Sequence, residues 1–232
     1  MLSNRVHPET TLDKCKYIST RGKSKGKQCD THVVSGQEFC KRHGVPNKGE
    51  GAGGANTNKT GLAFEDRVSC EQRLLSMGFE RNKIGKSRSP NGYTLTKKIS
   101  NKTYIFLKKS GFKKYMLETF GKTVKNEPDE SFVVIDENNN VKVFIIEMKN
   151  QNVSGSVDLK LLAAPGIRFM YQECLGGKID VDYCLCLNSW FETMWSEEKY
   201  NLWDIYFKKV NVPIFFGEKA TYLDDLFSWV GI

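Results

Sequence analysis

Residues 127–151 read EPDESFVVIDENNNVKVFIIEMKNQ, and this stretch decides the fold. Two β-rich runs, SFVVID and VKVFIIEMK, flank an Asn-rich connection, which predicts a β-hairpin. Side chains alternate faces along a strand, so Val143, Ile145, Glu147 and Lys149 share one face and Phe144, Ile146 and Met148 the other. Both faces are apolar until the last positions, where a carboxylate and an ammonium appear two residues apart. That pair is costly at the end of a core strand unless something charged binds there. Asp129 stands just before the partner strand, and the turn brings it back toward Glu147. Two such carboxylates suit Mg²⁺, a hard cation that prefers oxygen and keeps several waters, and the Met148 carbonyl offers a third oxygen. Lys149 can orient a metal-bound water or stabilise the charge of a phosphorane. Asp136 is a rival for the first ligand, but it precedes the Asn-rich turn, where Asp serves turn chemistry; Glu130 is a second rival. Gln151 either contacts the water or phosphate or hydrogen-bonds within its loop.

Working outward, GLAFEDRVSCEQRLLSMGF (61–79) predicts an amphipathic helix stopped at Gly78. Residues 81–102 are polar and basic and read as a loop or ragged hairpin. TYIFLKK (103–109) predicts a strand and GFKKYMLETFG (111–121) a short helix. After the hairpin, 158–177 reads as a helix interrupted or kinked at Pro165. VDYCLCLN and VPIFFG are further strands, 192–210 an aromatic-rich helix and 221–230 a last short helix. The order implies an α/β fold, a mixed central sheet flanked by helices. Trp190, Trp195 and Trp203 read as core or subunit contacts rather than base-stacking groups.

The hairpin resembles that of the PD-(D/E)XK nuclease superfamily, which includes most type II restriction endonucleases. The matching residues are Pro128-Asp129, an interval of 17 residues, and Glu147-Met148-Lys149. The resemblance implies a restriction endonuclease-like core, Asp129 and Glu147 as Mg²⁺ ligands, and Lys149 as the catalytic lysine. Glu65, in GLAFED, fits the extra acidic residue that such enzymes often carry on the first core helix. Gln151, two residues after the lysine, and the Gly-Ser-rich turn that follows resemble restriction-type members. The implied function is Mg²⁺-dependent hydrolysis of double-stranded DNA at a specific sequence, by a homodimer if the site is palindromic, with no nucleotide cofactor. The alternatives are a repair, resolvase or intron-type nuclease, or a non-catalytic zinc-containing DNA-binding protein.

Upstream, Cys15, Cys29, Cys40 and His43 have the spacing C-x13-C-x10-C-x2-H. Four sulfur and nitrogen ligands suit a tetrahedral structural Zn²⁺, which would supply most of the folding energy of so small a segment; His32 is an alternative ligand. The pattern, with Gly22 and Gly26 before the second Cys, resembles small Cys₃His elements in proteins of large DNA viruses, which implies a viral or microbial source. Arg21, Lys23, Lys25 and Lys27 lie between the ligands and are placed to grip phosphates, the alternative being a basic tail with incidental cysteines. The expected organisation is a zinc-binding, DNA-contacting module over 1–44, a Gly-rich flexible linker over 45–60, and a nuclease domain over 61–232.

Charge is divided in the same way. Residues 1–58 carry a net +5, 59–126 a net +11 and 127–232 a net −8, within a total of +8. A basic front half joined to an acidic back half reads as a polyanion-binding surface beside a metal-binding core. Arg81, Lys83, Lys86, Arg88, Lys97, Lys98 and Lys102 form the candidate DNA-contacting cluster, followed by Lys108, Lys109, Lys113 and Lys114. An odd count of 7 cysteines argues against a disulfide framework. With no secretion-type leader and no bilayer-length apolar run, the chain reads as soluble and intracellular, with no membrane partner.

Overall fold

The computed structural model describes residues 14–16, 18, 26–31, 33, 55–152 and 157–232. The chain divides into two compact units, Met1–Gly51 and Ala52–Ile232. In the second unit, one seven-stranded mixed sheet carries helices on both faces. Its strands are β1 (Glu80–Lys83), β2 (Tyr93–Ile99), β3 (Lys102–Lys108), β4 (Glu130–Ile135), β5 (Val141–Lys149), β6 (Ile179–Leu187) and β7 (Ile214–Phe216). The helices are α1 (Ala55–Val68), α2 (Glu71–Ser76), α3 (Lys109–Phe120), α4 (Val157–Leu162), α5 (Ala164–Leu175), α6 (Ser189–Met194), α7 (Glu198–Lys209) and α8 (Tyr222–Val230).

Strand order in space follows chain order. β1 to β5 pair antiparallel, whereas β6 and β7 run parallel to β5. Parallel neighbours need crossovers, which α4–α5 and α6–α7 supply. Both crossovers cover the same face, where Leu107, Val133, Val143, Ile145 and Leu185 meet Phe112 of α3, Tyr171 of α5 and Phe207 of α7. On the other face Phe106, Phe132, Phe144 and Ile146 meet Phe64, Leu74 and Leu226 from α1, α2 and α8. β5 is therefore apolar on both sides, as its sequence demands of a covered central strand. Cys184 and Cys186 are buried together on this second face. Trp190, Trp195 and Trp203 pack against the first core, Trp195 stacking on Tyr200 with ring centres 5.2 Å apart.

Several elements depart from the sequence expectation. The first helix breaks at Ser69–Cys70, because the Cys70 N–H and the Ser69 hydroxyl both turn to the buried Glu130. It also starts at Ala55, within the stretch read as linker. The segment after the motif breaks at Ala163, with Pro165 in the first turn of α5, where its missing N–H costs nothing. The aromatic-rich helix divides into α6 and α7, with the Ser196 hydroxyl donating to the Thr193 carbonyl at the break. The basic stretch over 81–102 forms an ordered hairpin, β1 pairing with β2 from Glu80↔Thr96 to Lys83↔Tyr93. Among the described residues no helix is long and apolar enough to cross a membrane.

Candidate active site

The register places the hairpin's polar residues at one end of the sheet. Glu130 opens β4 opposite Ile146, and Glu147, Met148 and Lys149 complete β5. Alternation then sends Asp129, Glu147 and Lys149 to the face covered by the crossover helices. The Met148 N–H donates to Asp129 Oδ2 at 2.7 Å, which ties the residue before β4 to the end of β5. Lys149 Nζ donates to Glu147 Oε1 and, at 3.1 Å, to the Met148 carbonyl. The three residues expected to carry the chemistry are thus brought together.

Their electrostatics are unbalanced. Burial, and then the charge of Glu147, lift the Asp129 carboxyl to about 7; Lys149 and the Met148 N–H pull it down without prevailing, and Glu65 lifts it further. Glu65 reaches the site from α1, its Oε2 bonded to Lys109 Nζ at 2.6 Å. Tyr183 on β6 is fully buried, and its hydroxyl has no hydrogen-bond partner among the described residues. Burial, followed by the charge of Glu147, raises that hydroxyl far above the usual phenol range, as it does for Tyr171.

Past β5 the backbone is clamped. The Asn188 side chain, at the end of β6, accepts from the Gln151 N–H at 3.2 Å and donates to the Gln151 carbonyl at 2.9 Å. Gln151 itself is buried beside the motif. The two rivals for the first ligand go elsewhere. Asp136 accepts from the Asn138 and Asn140 N–H groups at 2.9 and 2.8 Å, at the far end of the hairpin. Glu130 points to the opposite face of the sheet, fully buried, with Lys108 Nζ 3.6 Å away.

The basic residues separate along β2. Lys83 pairs with Tyr93 at the Asp129 end of the sheet, and the loop that follows carries exposed Lys86 and Arg88 to the same end. Arg81 is bound to Glu71 and lies over the Tyr93 ring at 4.2 Å. Lys97 and Lys98 run toward the other end of the sheet; Lys98, paired with Thr103, is roughly 16 Å along the strand from Tyr93 at ~3.3 Å per residue. Lys97 Nζ donates to the Met77 carbonyl at 2.5 Å and so serves the end of α2.

Sequence reasoning missed the roles of Lys109, Asn188 and Tyr183. Asn188 had a signal, since it directly follows the apolar strand β6, whose last residue, Leu187, pairs with Lys149. Tyr183 looked like any strand aromatic, and Lys109 like one more lysine in a run.

In the first unit, Cys15 is buried with Val33, and Cys29 packs against them. An antiparallel bridge Ile18↔Gln28 and a bond from the Cys15 N–H to the Thr31 carbonyl at 3.0 Å bring the two thiols into one cluster. Lys27 is exposed. Cys40, His43, Arg21, Lys23 and Lys25 lie outside the described residues.

Among the described residues no group of three His, Cys, Asp or Glu side chains stands ready to hold a metal. Mg²⁺ asks for less than that, since one or two carboxylates with water complete its shell. Asp129 and Glu147 are two such carboxylates, and the Met148 carbonyl, which accepts from Lys149 Nζ at 3.1 Å, is a further hard oxygen at the same strand end. The donor set therefore fits Mg²⁺. Comparisons with known protein families, curated proteins and solved structures give no match to this chain.

Proposed function

We propose that this chain is a magnesium-dependent endonuclease of the PD-(D/E)XK kind that hydrolyses phosphodiester bonds of double-stranded DNA, most simply at a specific sequence as type II restriction enzymes do. The observation that carries this reading is the meeting of Asp129, Glu147 and Lys149 at one sheet end, with the Asp129 carboxyl lifted by burial and then by its carboxylate neighbour. A structural ion pair would explain Glu147 and Lys149. It would not explain a second, half-buried carboxylate turned toward them.

Asp129, Glu147 and the Met148 carbonyl would hold the ion, which supplies Lewis-acid polarisation of the phosphate and a water of lowered pKa. The chain's own groups do the rest. The Met148 N–H fixes one oxygen of Asp129 and leaves the other for the ion. Lys149, on the same face as Glu147, orients the attacking water and stabilises charge on the phosphorane oxygens. Water adds to phosphorus and gives up a proton to solvent, the bond to the leaving sugar oxygen breaks, and that oxygen takes up a proton from solvent. Asn188 holds the chain after Lys149 in register, so the ammonium keeps its place. Lys83, Lys86 and Arg88 stand at the same sheet end, where phosphates flanking the scissile one would lie.

Cys15 and Cys29 would hold a structural Zn²⁺ together with Cys40 and His43, a set supported by the packing of the first two thiols. Metal analysis of the purified protein should return one zinc per chain, and chelation should unfold the N-terminal unit alone. For the nuclease, incubation of several plasmid DNAs with Mg²⁺ should give discrete, reproducible fragments, whereas cutting confined to branched DNA would indicate a resolvase. An absence of cutting, or full cutting by Asp129→Ala and Lys149→Ala, would sink the mechanism.

A further inference from the structure

Lys109 is the first residue of α3 and has φ 44°, in the left-handed region that costs any residue with a side chain. Several contacts hold it there. Its N–H donates to the Pro128 carbonyl at 3.0 Å and so fixes the residue before Asp129. The Ser110 hydroxyl next to it lies 2.8 Å from that of Ser89. A Cβ on Gly111 would come within 2.0 Å of the Asn91 carbonyl, so the start of α3 cannot slide. The strained backbone aims the ammonium at Glu65 Oε2, 2.6 Å away, within the fields of Asp129 and Asp66.

Two lysine–carboxylate pairs therefore flank Asp129: Lys149 with Glu147, and Lys109 with Glu65. Asp129 itself forms no salt bridge among the described residues. We propose that Lys109 is the resident counter-cation of this site, holding Glu65 until a divalent ion binds and then presenting its ammonium to the substrate phosphate. The inference rests on the metal-dependent nuclease reading. A divalent ion at Asp129 would compete with Lys109 for Glu65 and repel its ammonium. Once displaced, the ammonium has a polyanion as its natural complement. The same exchange explains why Glu65 and Asp129, though near enough to feel each other's charge, do not form a ready-made three-carboxylate cluster.

The test uses the full chain and variants Lys109→Met and Lys109→Gly; glycine also relieves the left-handed backbone, so loss of folding is not built into the experiment. Mg²⁺ binding is measured by calorimetry without DNA, and duplex DNA binding with Ca²⁺ in place of Mg²⁺. The two effects should have opposite sign. Both variants should bind Mg²⁺ about threefold to fivefold more tightly, since the ion no longer competes with an ammonium. Both should bind DNA several-fold more weakly, with the slope of log affinity against log salt reduced by about 0.9. Lys109→Arg should restore DNA binding. A purely structural lysine would weaken both affinities or neither, and either result overturns the proposal. If the parent cuts DNA and the variants show that result, only the role of Lys109 falls. If the parent takes up no divalent ion, the nuclease reading falls with it.

Discussion

Asp129 and Glu130 are adjacent in the chain and opposite in circumstance. Strand alternation sends them to different faces of one sheet end, and burial raises the carboxyl of each. Glu130 is fully buried, yet the Ser69 hydroxyl, the Cys70 N–H and Lys108 all attend it. Lys108 also lies 3.7 Å from Glu71, which binds Arg81, so Glu130 anchors a network linking α2, β1 and β3. Asp129 has the Met148 N–H as its one hydrogen bond among the described residues, and the charge that acts on it most strongly is another carboxylate. One is surrounded by donors and a cation; the other faces a second carboxylate with a single donor, as the proposed metal site would require. The difference lies in the neighbours, because by burial alone Glu130 would be the stranger residue.

The sharpest way to break this comparison is to remove side chains on each face and ask which property fails. Lys149→Met and Asp129→Ala should each lower kcat/KM for DNA cleavage by roughly 10³-fold or more, about 4 kcal/mol at the transition state. Lys149→Met should leave the melting temperature unchanged, and Asp129→Ala should lower it by no more than the loss of the acceptor for the Met148 N–H. If Glu130→Gln costs as much activity with stability unchanged, the two faces have been assigned the wrong way round. Next in size is Glu130→Ala. It leaves Lys108 partly buried with one of its carboxylates gone and the Cys70 N–H without its acceptor, and should cost about 3–5 kcal/mol in urea unfolding. Adding Lys108→Met should recover part of that loss. Additive losses would mean that the two residues do not act as a pair.

How much of this was legible follows from the range of the forces involved. The hairpin, its register and the common face of Glu147 and Lys149 needed only period-two alternation and an Asn-rich turn. Local turn chemistry also disposed of Asp136, whose carboxylate caps the N–H groups of Asn138 and Asn140. The α1–α2 break was not legible, because nothing near Ser69–Cys70 announces that a carboxylate 60 residues away will take its donors. Lys109 was hidden for a similar reason, its left-handed backbone being set by Pro128 and Asn91 rather than by its neighbours in sequence. The basic run was legible as charge but not as placement. Antiparallel pairing carries Lys83 to the Asp129 end of the sheet and Lys98 to the other, which a count of lysines cannot reveal.

The smallest expected effect is the most specific, since it opposes the usual sign of a buried mutation. With a folded value of about 7 for Asp129, against about 3.9 in an unfolded chain, the folded state holds a proton between about pH 4 and 7 that the unfolded state has released. Stability contributed by this group is therefore present at low pH and lost as pH rises through that window, levelling off above 7. Roughly 3 pH units at 1.36 kcal/mol each would cap the loss near 4 kcal/mol, and partial solvation reduces the expectation to about 2. Asp129→Asn keeps an oxygen for the Met148 N–H and never ionises, so at pH 8 without divalent ions it should be more stable than the parent by that amount. At pH 4 the two should agree. Millimolar Mg²⁺ should close the gap at pH 8 by stabilising the parent alone. Glu130→Gln, the matching change one residue along, should destabilise at pH 8, because an amide cannot accept at both positions from the Ser69 hydroxyl and the Cys70 N–H and leaves Lys108 with one carboxylate fewer. If both variants shift stability in the same direction at pH 8, the two carboxylates do not differ in the way their surroundings require.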